Sequence, residues 1–119
     1  MGRSVLLVDD DPEFRELARR VLTSTGLTVV GEADGVGAAL AAAEELRPEV
    51  VLVDVGLPDG DGVALARDLV SLPWRPRVVV TSVDADATSS DEIRAAGAVG
   101  FVSKDQLPGA GLRLLLAED

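Results

Sequence analysis

The sequence predicts an α/β fold, in which a doubly wound parallel sheet of five strands is covered by helices on both faces. Short valine-rich runs alternate along the chain with stretches that carry apolar residues three and four positions apart. The chain is 47% apolar but only 3% aromatic, so Val, Leu and Ala must fill the core, as in buried parallel strands and the helices packed on them. At 119 residues the chain has room for one domain, which we expect to span residues 1–119.

The strands and helices are predicted as five consecutive pairs. The strands are 4–8, 28–32, 50–54, 77–82 and 99–103, and the helices that follow them are 12–25, 36–47, 63–72, about 88–96, and 106–118. One face of the first helix carries the apolar residues Phe14, Leu17, Ala18, Val21 and Leu22. This alternation implies right-handed crossovers, and open sheets of this type bind ligands outside the carboxyl ends of their strands.

Local signals set several of these boundaries. Asp11 before Pro12 is typical of an N-cap followed by the first helical residue. Gly26 predicts the end of the first helix, and Pro48 closes the second helix before the third strand.

The stretch 83–91 is the least regular part of the chain. It is rich in Asp and Ser, whose side chains compete for backbone hydrogen bonds and favour caps and turns. We therefore expect the fourth helix to begin late, near Ser90 or Asp91, after a mobile loop.

Composition excludes several classes of function. The chain contains no His and no Cys, which excludes a Ser-His-Asp triad, a His general base and a His- or Cys-ligated zinc site. A net charge of −10 repels nucleic acid phosphates and anionic membranes, so we expect no direct nucleic acid binding and no membrane association. No signal-peptide pattern and no membrane-spanning apolar run are present, and we expect a cytoplasmic location.

Polar residues stand at the carboxyl ends of four predicted strands. They are Asp9, Asp10 and Asp11 after the first strand, Asp54 at the end of the third, Thr81 and Ser82 at the end of the fourth, and Lys104 just past the fifth. Taken singly, each has an ordinary structural interpretation as a helix cap, a satisfied hydroxyl or a solvated lysine. If the four strands are neighbours, all of these groups converge on one edge, which favours a functional site.

A pocket that holds Asp9, Asp10 and Asp54 needs positive charge. Two carboxylates about 5 Å apart repel each other by roughly 3 kcal/mol at an effective dielectric constant of about 20. Lys104 supplies one positive charge and a divalent ion two, which together balance three carboxylates. All-oxygen ligation with room for waters favours Mg²⁺ or Mn²⁺ over zinc.

Four segments together resemble the receiver domains of two-component response regulators, most closely those of the nitrate-response type. They are VLLVDDDP at 5–12, VLVDVGLPDGDG at 51–62, VVVTS at 78–82 and GAVGFVSK at 97–104. The resemblance extends in order over nearly the whole chain. It implies a flavodoxin-like (βα)5 fold with strand order 2-1-3-4-5, in which strands one, three, four and five lie side by side.

The resemblance also implies a role for each site residue. Asp54 is expected to accept the phosphoryl group. Asp10, Asp54 and the main-chain carbonyl of Gly56 are expected to ligate the metal directly, and Asp9 to hold it through water. Lys104 is expected to contact the phosphoryl oxygens.

Two further residues are assigned to a conformational switch by the resemblance. Ser82 is chosen over Thr81 for the switch hydroxyl, because it lies 28 residues after Asp54 (82 − 54) and 22 before Lys104 (104 − 82), as in nitrate-response receivers. Phe101 occupies the position of the family's aromatic rotamer switch, with plain core packing as the alternative.

The chain departs from the family pattern in two ways. Gly56 leaves no side chain two residues after the acceptor, at a position that influences phosphorylation and hydrolysis rates in the family. Additional negative charge is expected near the pocket rim from Asp59, Asp61, Asp84 and Asp86, and it either slows an anionic donor or strengthens metal binding. The run 59–62 is most simply a turn.

These observations predict a two-component phosphorelay switch that depends on Mg²⁺ or Mn²⁺. A sensor histidine kinase or a phosphotransfer protein is expected to donate the phosphoryl group. The apolar run 112–116 in the last helix suggests that an output domain or a second copy binds the face formed by the fourth helix, fifth strand and fifth helix. Such a protein catalyses its own phosphorylation and dephosphorylation but is primarily a signalling switch.

Two alternatives remain open. One is a degenerate receiver that acts as an unphosphorylated protein-interaction module. The other is a metal-dependent phosphohydrolase with Asp54 as its nucleophile, although phosphatases of that kind generally have a second Asp where Gly56 stands.

Overall fold

Five parallel strands form the main sheet of the computed structural model, which describes residues 3–84, 86 and 88–107. They are β1 Ser4–Val8, β2 Thr28–Ala33, β3 Val50–Asp54, β4 Arg77–Ser82 and β5 Gly100–Ser103. The strand order is β2-β1-β3-β4-β5, and every adjacent pair is parallel. The predicted fold class and the implied strand order are confirmed.

Helices connect the strands as expected. They are α1 Pro12–Ser24, α2 Val36–Leu46, α3 Gly62–Val70 and α4 Ser90–Ala96, and a short 3-10 turn, Lys104–Gln106, follows β5. The fifth helix was predicted at 106–118, and residues 108–119, with the apolar run 112–116, lie outside the described residues. No helix in the described part of the chain is long and apolar enough to span a membrane.

The predicted helix boundaries have local causes in the structure. The Asp11 side chain accepts a hydrogen bond from the Glu13 backbone N–H at 3.0 Å, as an N-cap does. The fourth helix begins at Ser90, within the expected range. Ser89 and Glu92 form a reciprocal capping box at its start.

The core consists of two apolar layers, one on each face of the sheet. On one face, Val51 and Val53 of β3 pack with apolar residues of α2, α3 and α4. On the other face, Val50 and Leu52 pack with α1. Every residue of β3 is buried, so this strand carries Asp54 to the edge of the sheet on a rigid support.

The register of the sheet places the polar strand ends next to one another. Val8, the last residue of β1, aligns with Val53, and Asp54 aligns with Thr81. Ser82 aligns with Ser103, directly before Lys104. The residues that follow these positions therefore share the carboxyl edge of the sheet.

The connection between β3 and α3 is tightly packed against the end of β3. Residues Gly56–Leu57 and Gly60–Asp61 form a short antiparallel ladder, so the turn predicted at 59–62 forms part of a small hairpin. The Gly62 N–H donates to the Val55 carbonyl at 2.8 Å. A Cβ atom on Gly62 would lie 2.0 Å from the Asp54 carbonyl oxygen, so only glycine permits this approach.

Candidate functional site

Three carboxylates meet at the carboxyl edge of the sheet. Asp9, Asp10 and Asp54 each place an oxygen within 4.8 Å of the others. Asp9 and Asp54 are buried, with 2% and 6% of their surfaces exposed, whereas Asp10 is exposed. Residues 45 positions apart in sequence (54 − 9) thus form one acidic cluster, as predicted.

Asp9 is fixed by contacts on both its backbone and its side chain. Its N–H donates to the Ala33 carbonyl at 2.9 Å, and its own carbonyl accepts from Arg15 Nη1 at 2.5 Å. Its Oδ1 accepts the Asp11 N–H at 2.9 Å, and its Oδ2 lies 2.7 Å from Lys104 Nζ. That last contact is an ion pair without aligned hydrogen-bond geometry, since Oδ2 accepts no hydrogen bond from the described residues.

Lys104 brings positive charge into the cluster. Its side chain is only 12% exposed, and Nζ lies 3.8 Å from Asp54 Oδ2. The same Nζ lies 4.6 Å from the centroid of the Phe14 ring, a cation–π distance. Sequence reasoning identified Lys104 but not Phe14, because the helical spacing of Phe14 marks it only as a core residue.

The environment of Asp54 disfavours its charged form. Burial, reinforced by the negative charge of Asp9 and to a smaller extent of Asp10, raises the pKa of Asp54 from 3.8 to about 6. Lys104 and a hydrogen bond from the Gly56 N–H act in the opposite direction. A bound cation would reverse this balance, because it favours the carboxylate form.

The residues present fit a divalent cation with oxygen ligands. Carboxylate oxygens within 4.8 Å of one another, at two buried positions and one exposed position, suit Mg²⁺ or Mn²⁺ with part of its water shell retained. The acidic cluster is therefore a candidate metal site.

In the absence of metal, the raised pKa of Asp54 makes folding depend on pH. The carboxyl group titrates near 3.8 in the unfolded chain and near 6 in the folded one, so the folded state binds more protons between these values. The contribution of Asp54 to the free energy of unfolding should be largest below about pH 4 and should fall as the pH rises to about 6, by at most about 3 kcal/mol at 1.4 kcal/mol per unit.

Urea unfolding of the wild type and of Asp54→Asn in chelator, across this pH range, isolates the effect of Asp54. Carboxylates that do not interact with Asp54 titrate alike in both proteins and cancel in the difference. The wild-type stability relative to Asp54→Asn should decline with rising pH, and a difference independent of pH would contradict the assignment.

Two hydroxyl groups lie at the end of β4. Thr81, which aligns with Asp54, is 1% exposed, and its hydroxyl has no hydrogen-bond partner within the described residues. Ser82 is 7% exposed, and its hydroxyl accepts the Asp84 N–H at 3.2 Å. Both hydroxyls are therefore buried at the site edge, and neither is tied to another strand by a hydrogen bond described in the structure.

Phe101 lies beside a groove between α4 and β5. It is half-buried and packs against the apolar layer that contains α4. The groove has a volume of about 490 Å³ and includes Ile93, Ala98 and Val99. Phe101 thus contacts both the core and an exposed hollow.

The acidic residues expected at the pocket rim have structural partners. Asp59 accepts the N–H groups of Val36 and Gly37 at 2.7 and 3.3 Å, and these bonds lower the pKa of Asp59. It thereby caps α2, whose N-cap residue, Gly35, has no side chain for that purpose. Asp61 caps α3 through the Val63 N–H at 2.9 Å. The carboxylates of Asp59 and Asp61 therefore bind the N-termini of α2 and α3.

The chain matches a known family along most of its length. The model of the response regulator receiver domain matches residues 5–114. The DNA-binding transcriptional activator DevR/DosR of Mycobacterium tuberculosis is 43% identical over 107 residues, which cover 85% of this chain and 47% of that protein. The chain spans about half the length of this relative and of two further curated relatives that it matches.

Solved structures show the same similarity. A two-component response regulator of the LuxR family from Aurantimonas sp. SI85-9A1 superposes with a TM-score of 0.86 at 28% identity, covering 95% of this chain and 81% of that one. The receiver domain of the putative response regulator NarL from Mycobacterium tuberculosis gives a TM-score of 0.75 at 34% identity, covering 87% and 85%.

Proposed function

The chain belongs to the response regulator receiver domain family of two-component systems, and on that basis we propose that it accepts a phosphoryl group on Asp54. The donor is a phosphohistidine of a sensor kinase or a phosphotransfer protein. Phosphorylation then shifts the domain between two conformations that control an output domain or a partner.

One observation carries the proposal. The buried carboxylate of Asp54 lies within 4.8 Å of two other carboxylates and 3.8 Å from a nearly buried lysine. An acceptor needs an oxygen nucleophile, a cation site and a fixed positive charge in one place. The degenerate-receiver alternative gains no support from the described residues, since none of these groups is missing.

Mg²⁺ is the proposed cofactor, held by Asp10, Asp54 and the Gly56 carbonyl, with Asp9 acting through water. When bound, it would neutralise negative charge on the phosphoryl oxygens. The described residues fit this role through their oxygen donors and their combined negative charge.

The side chains of the protein supply the rest of the mechanism. A carboxylate oxygen of Asp54 forms the new bond to phosphorus as the bond from phosphorus to the donor nitrogen breaks, and the imidazole keeps the electron pair. Lys104 stabilises charge on the transferred oxygens. The ion pair with Asp9 at 2.7 Å and the contact with the Phe14 ring hold Lys104 beside the acceptor. Water later hydrolyses the acyl phosphate.

The conformational response is proposed to start at Ser82. Its hydroxyl would move toward the new phosphoryl oxygens, and the half-buried Phe101 would turn inward. The groove between α4 and β5 would change shape with it. We propose that the output domain or a second copy binds there, on the face formed by α4 and β5.

A donor protein can approach the site beside Lys104. Leu17 and Val83 are 47% and 82% exposed, and both line a hollow that includes Lys104 and Phe14. Exposed apolar side chains next to a reactive group suit transient protein contacts. We place the reaction in the cytoplasm, which suits a chain without cysteine.

Incubation with acetyl phosphate and Mg²⁺, followed by intact mass measurement, tests the proposal. The wild type should gain one phosphoryl group, the gain should disappear in chelator, and Asp54→Asn should gain none. An unmodified wild type at saturating acetyl phosphate, or equal labelling of Asp54→Asn, would refute the assignment of Asp54.

A further inference from the structure

A basic pocket lies at the opposite pole of the sheet from the acidic cluster. It is lined by Arg3, Arg47, Glu49, Trp74, Arg75 and Arg77 and has a volume of about 370 Å³. Arg3 precedes β1 and Arg77 begins β4, so the pocket is at the amino ends of the strands. Its volume is within the range of small-ligand sites, roughly 300 to 1,000 Å³.

The charge of this pocket is opposite to that of the chain. Four of the chain's 11 basic residues line it together with one acid, a formal charge of +3 (4 − 1) in a chain of −10. The acid, Glu49, is occupied elsewhere, since its Oε1 accepts the Ser4 N–H at 3.1 Å. The pocket therefore has a net positive formal charge, and its one carboxylate, Glu49, accepts a hydrogen bond from the backbone of Ser4.

Several of the pocket arginines lack the partners that other basic residues have. Arg15 and Arg19 form ion pairs with Glu32. No ion pair within the described residues engages Arg3, Arg47 or Arg75, which all line the pocket. Their guanidinium groups are available to an anion.

The backbone holds two of these arginines in an unusual conformation. Arg47 and Arg75 have φ values of 46° and 47°, in the left-handed region that favours glycine. Both precede a proline. Two of the arginines that line the pocket therefore have a strained backbone.

The Trp74 ring forms one side of the pocket and is held in place by neighbouring residues. Its Nε1 donates to the Pro48 carbonyl at 3.0 Å, which fixes the ring. The Arg47 guanidinium lies 5.4 Å from the ring centroid. The ring and the Arg47 side chain therefore restrict each other before any ligand arrives.

We propose that this pocket binds a small oligophosphate anion, such as pyrophosphate or the phosphates of a nucleoside diphosphate. The planar fork of a guanidinium matches phosphate oxygens in pairs. Two phosphoryl groups carry about three negative charges, which matches the charge of Arg3, Arg47 and Arg75, the three arginines that no ion pair within the described residues engages. A long polyanion such as nucleic acid would also meet the negative remainder of the surface, whereas a small anion experiences mainly the local field within a Debye length of about 8 Å.

Trp74 is the only tryptophan of the chain, so its fluorescence reports directly on the pocket. Pyrophosphate is titrated at constant ionic strength without Mg²⁺, and ADP is titrated in parallel by calorimetry. We expect a saturable fluorescence change with pyrophosphate. Arg47→Gln and Arg75→Gln should each raise Kd about tenfold or more, as expected for the loss of a charged hydrogen bond. If ADP binds more tightly than pyrophosphate, the ligand is a nucleotide. If the two bind equally, the pocket recognises the phosphates alone.

Two further variants keep the test decisive. Arg20→Gln removes the same charge from a helix surface, where the side chain is 75% exposed and paired with Glu16, and should change Kd less than about twofold. Arg75→Gly removes the guanidinium but suits the positive φ, so it should fold at least as well as the wild type and still bind about tenfold more weakly. Any one of three results would overturn the proposal. They are a fluorescence change with pyrophosphate no larger than that caused by NaCl, an equal loss of affinity in Arg20→Gln, and wild-type affinity in Arg75→Gly.

Discussion

Replacing Lys104 with methionine is expected to slow phosphorylation of Asp54 by a factor of about 10² to 10³, the usual cost of removing a preorganised stabilising charge. Nζ of Lys104 lies 2.7 Å from Asp9 and 3.8 Å from Asp54. Without it, three carboxylates and an incoming phosphoryl group share the pocket with only a bound metal to offset them. Methionine keeps an apolar stem of similar length against Phe14, so packing there changes little.

The rate of labelling by acetyl phosphate at fixed Mg²⁺, measured by intact mass, checks this expectation. Arg20→Met removes the same charge from the surface and should leave the rate within about twofold of the wild type. A Lys104→Met rate within about threefold of the wild type would show that Lys104 does not stabilise the transferred group. The pKa of Asp54 in the metal-free variant provides a second measurement, because loss of the positive neighbour should raise it further.

The sheet and the acidic cluster could be predicted from the sequence because their signals are local. Buried parallel strands appear as continuous Val and Leu runs, and the limits predicted for β3 and β4 agree with the structure. Asp54 was recognisable because it directly follows such a run, and Lys104 because it stands just past the predicted fifth strand. The family resemblance then supplied the strand order that brings their ends together.

Contacts between distant segments were not predictable in the same way. Asp59 caps α2 across 23 residues, yet its sequence context of Pro and Gly indicates only a turn. The Phe14 ring reaches Lys104 from α1, and helical spacing cannot distinguish that contact from ordinary core packing. Arg47 and Arg75 meet at one pocket, although nothing local marks either as more than a surface residue.

The positions of Asp59 and Asp61 change the electrostatic picture of the site. Both were expected to add negative charge at the rim, but each carboxylate accepts backbone N–H groups at a helix start, where the helix dipole favours an anion. Their charge is thus partly compensated by α2 and α3. The loop that carries Gly56 is anchored to both helices by these caps, which holds it beside Asp54.

Gly62→Ala is expected to destabilise the fold by about 3 kcal/mol and to impair phosphorylation at the same time. Its Cβ would lie 2.0 Å from the Asp54 carbonyl oxygen and 2.7 Å from the Val55 Cα, both of which are backbone atoms that cannot rotate away. The start of α3 must then move from the end of β3, and the hydrogen bond from the Gly62 N–H to Val55 at 2.8 Å is lost or stretched. Urea unfolding measures the first effect and acetyl phosphate labelling the second.

Gly56→Ala is the matched control, because it adds the same methyl group to the same loop. A Cβ on Gly56 meets nothing within 4 Å, so the free energy of unfolding should change by less than about 0.5 kcal/mol. A difference between the two variants isolates the close approach of α3 to β3 from the general cost of replacing glycine in a loop. Equal stability of Gly62→Ala and Gly56→Ala would mean that the backbone at Asp54 tolerates displacement, and the rigid support proposed for the acceptor would have to be abandoned.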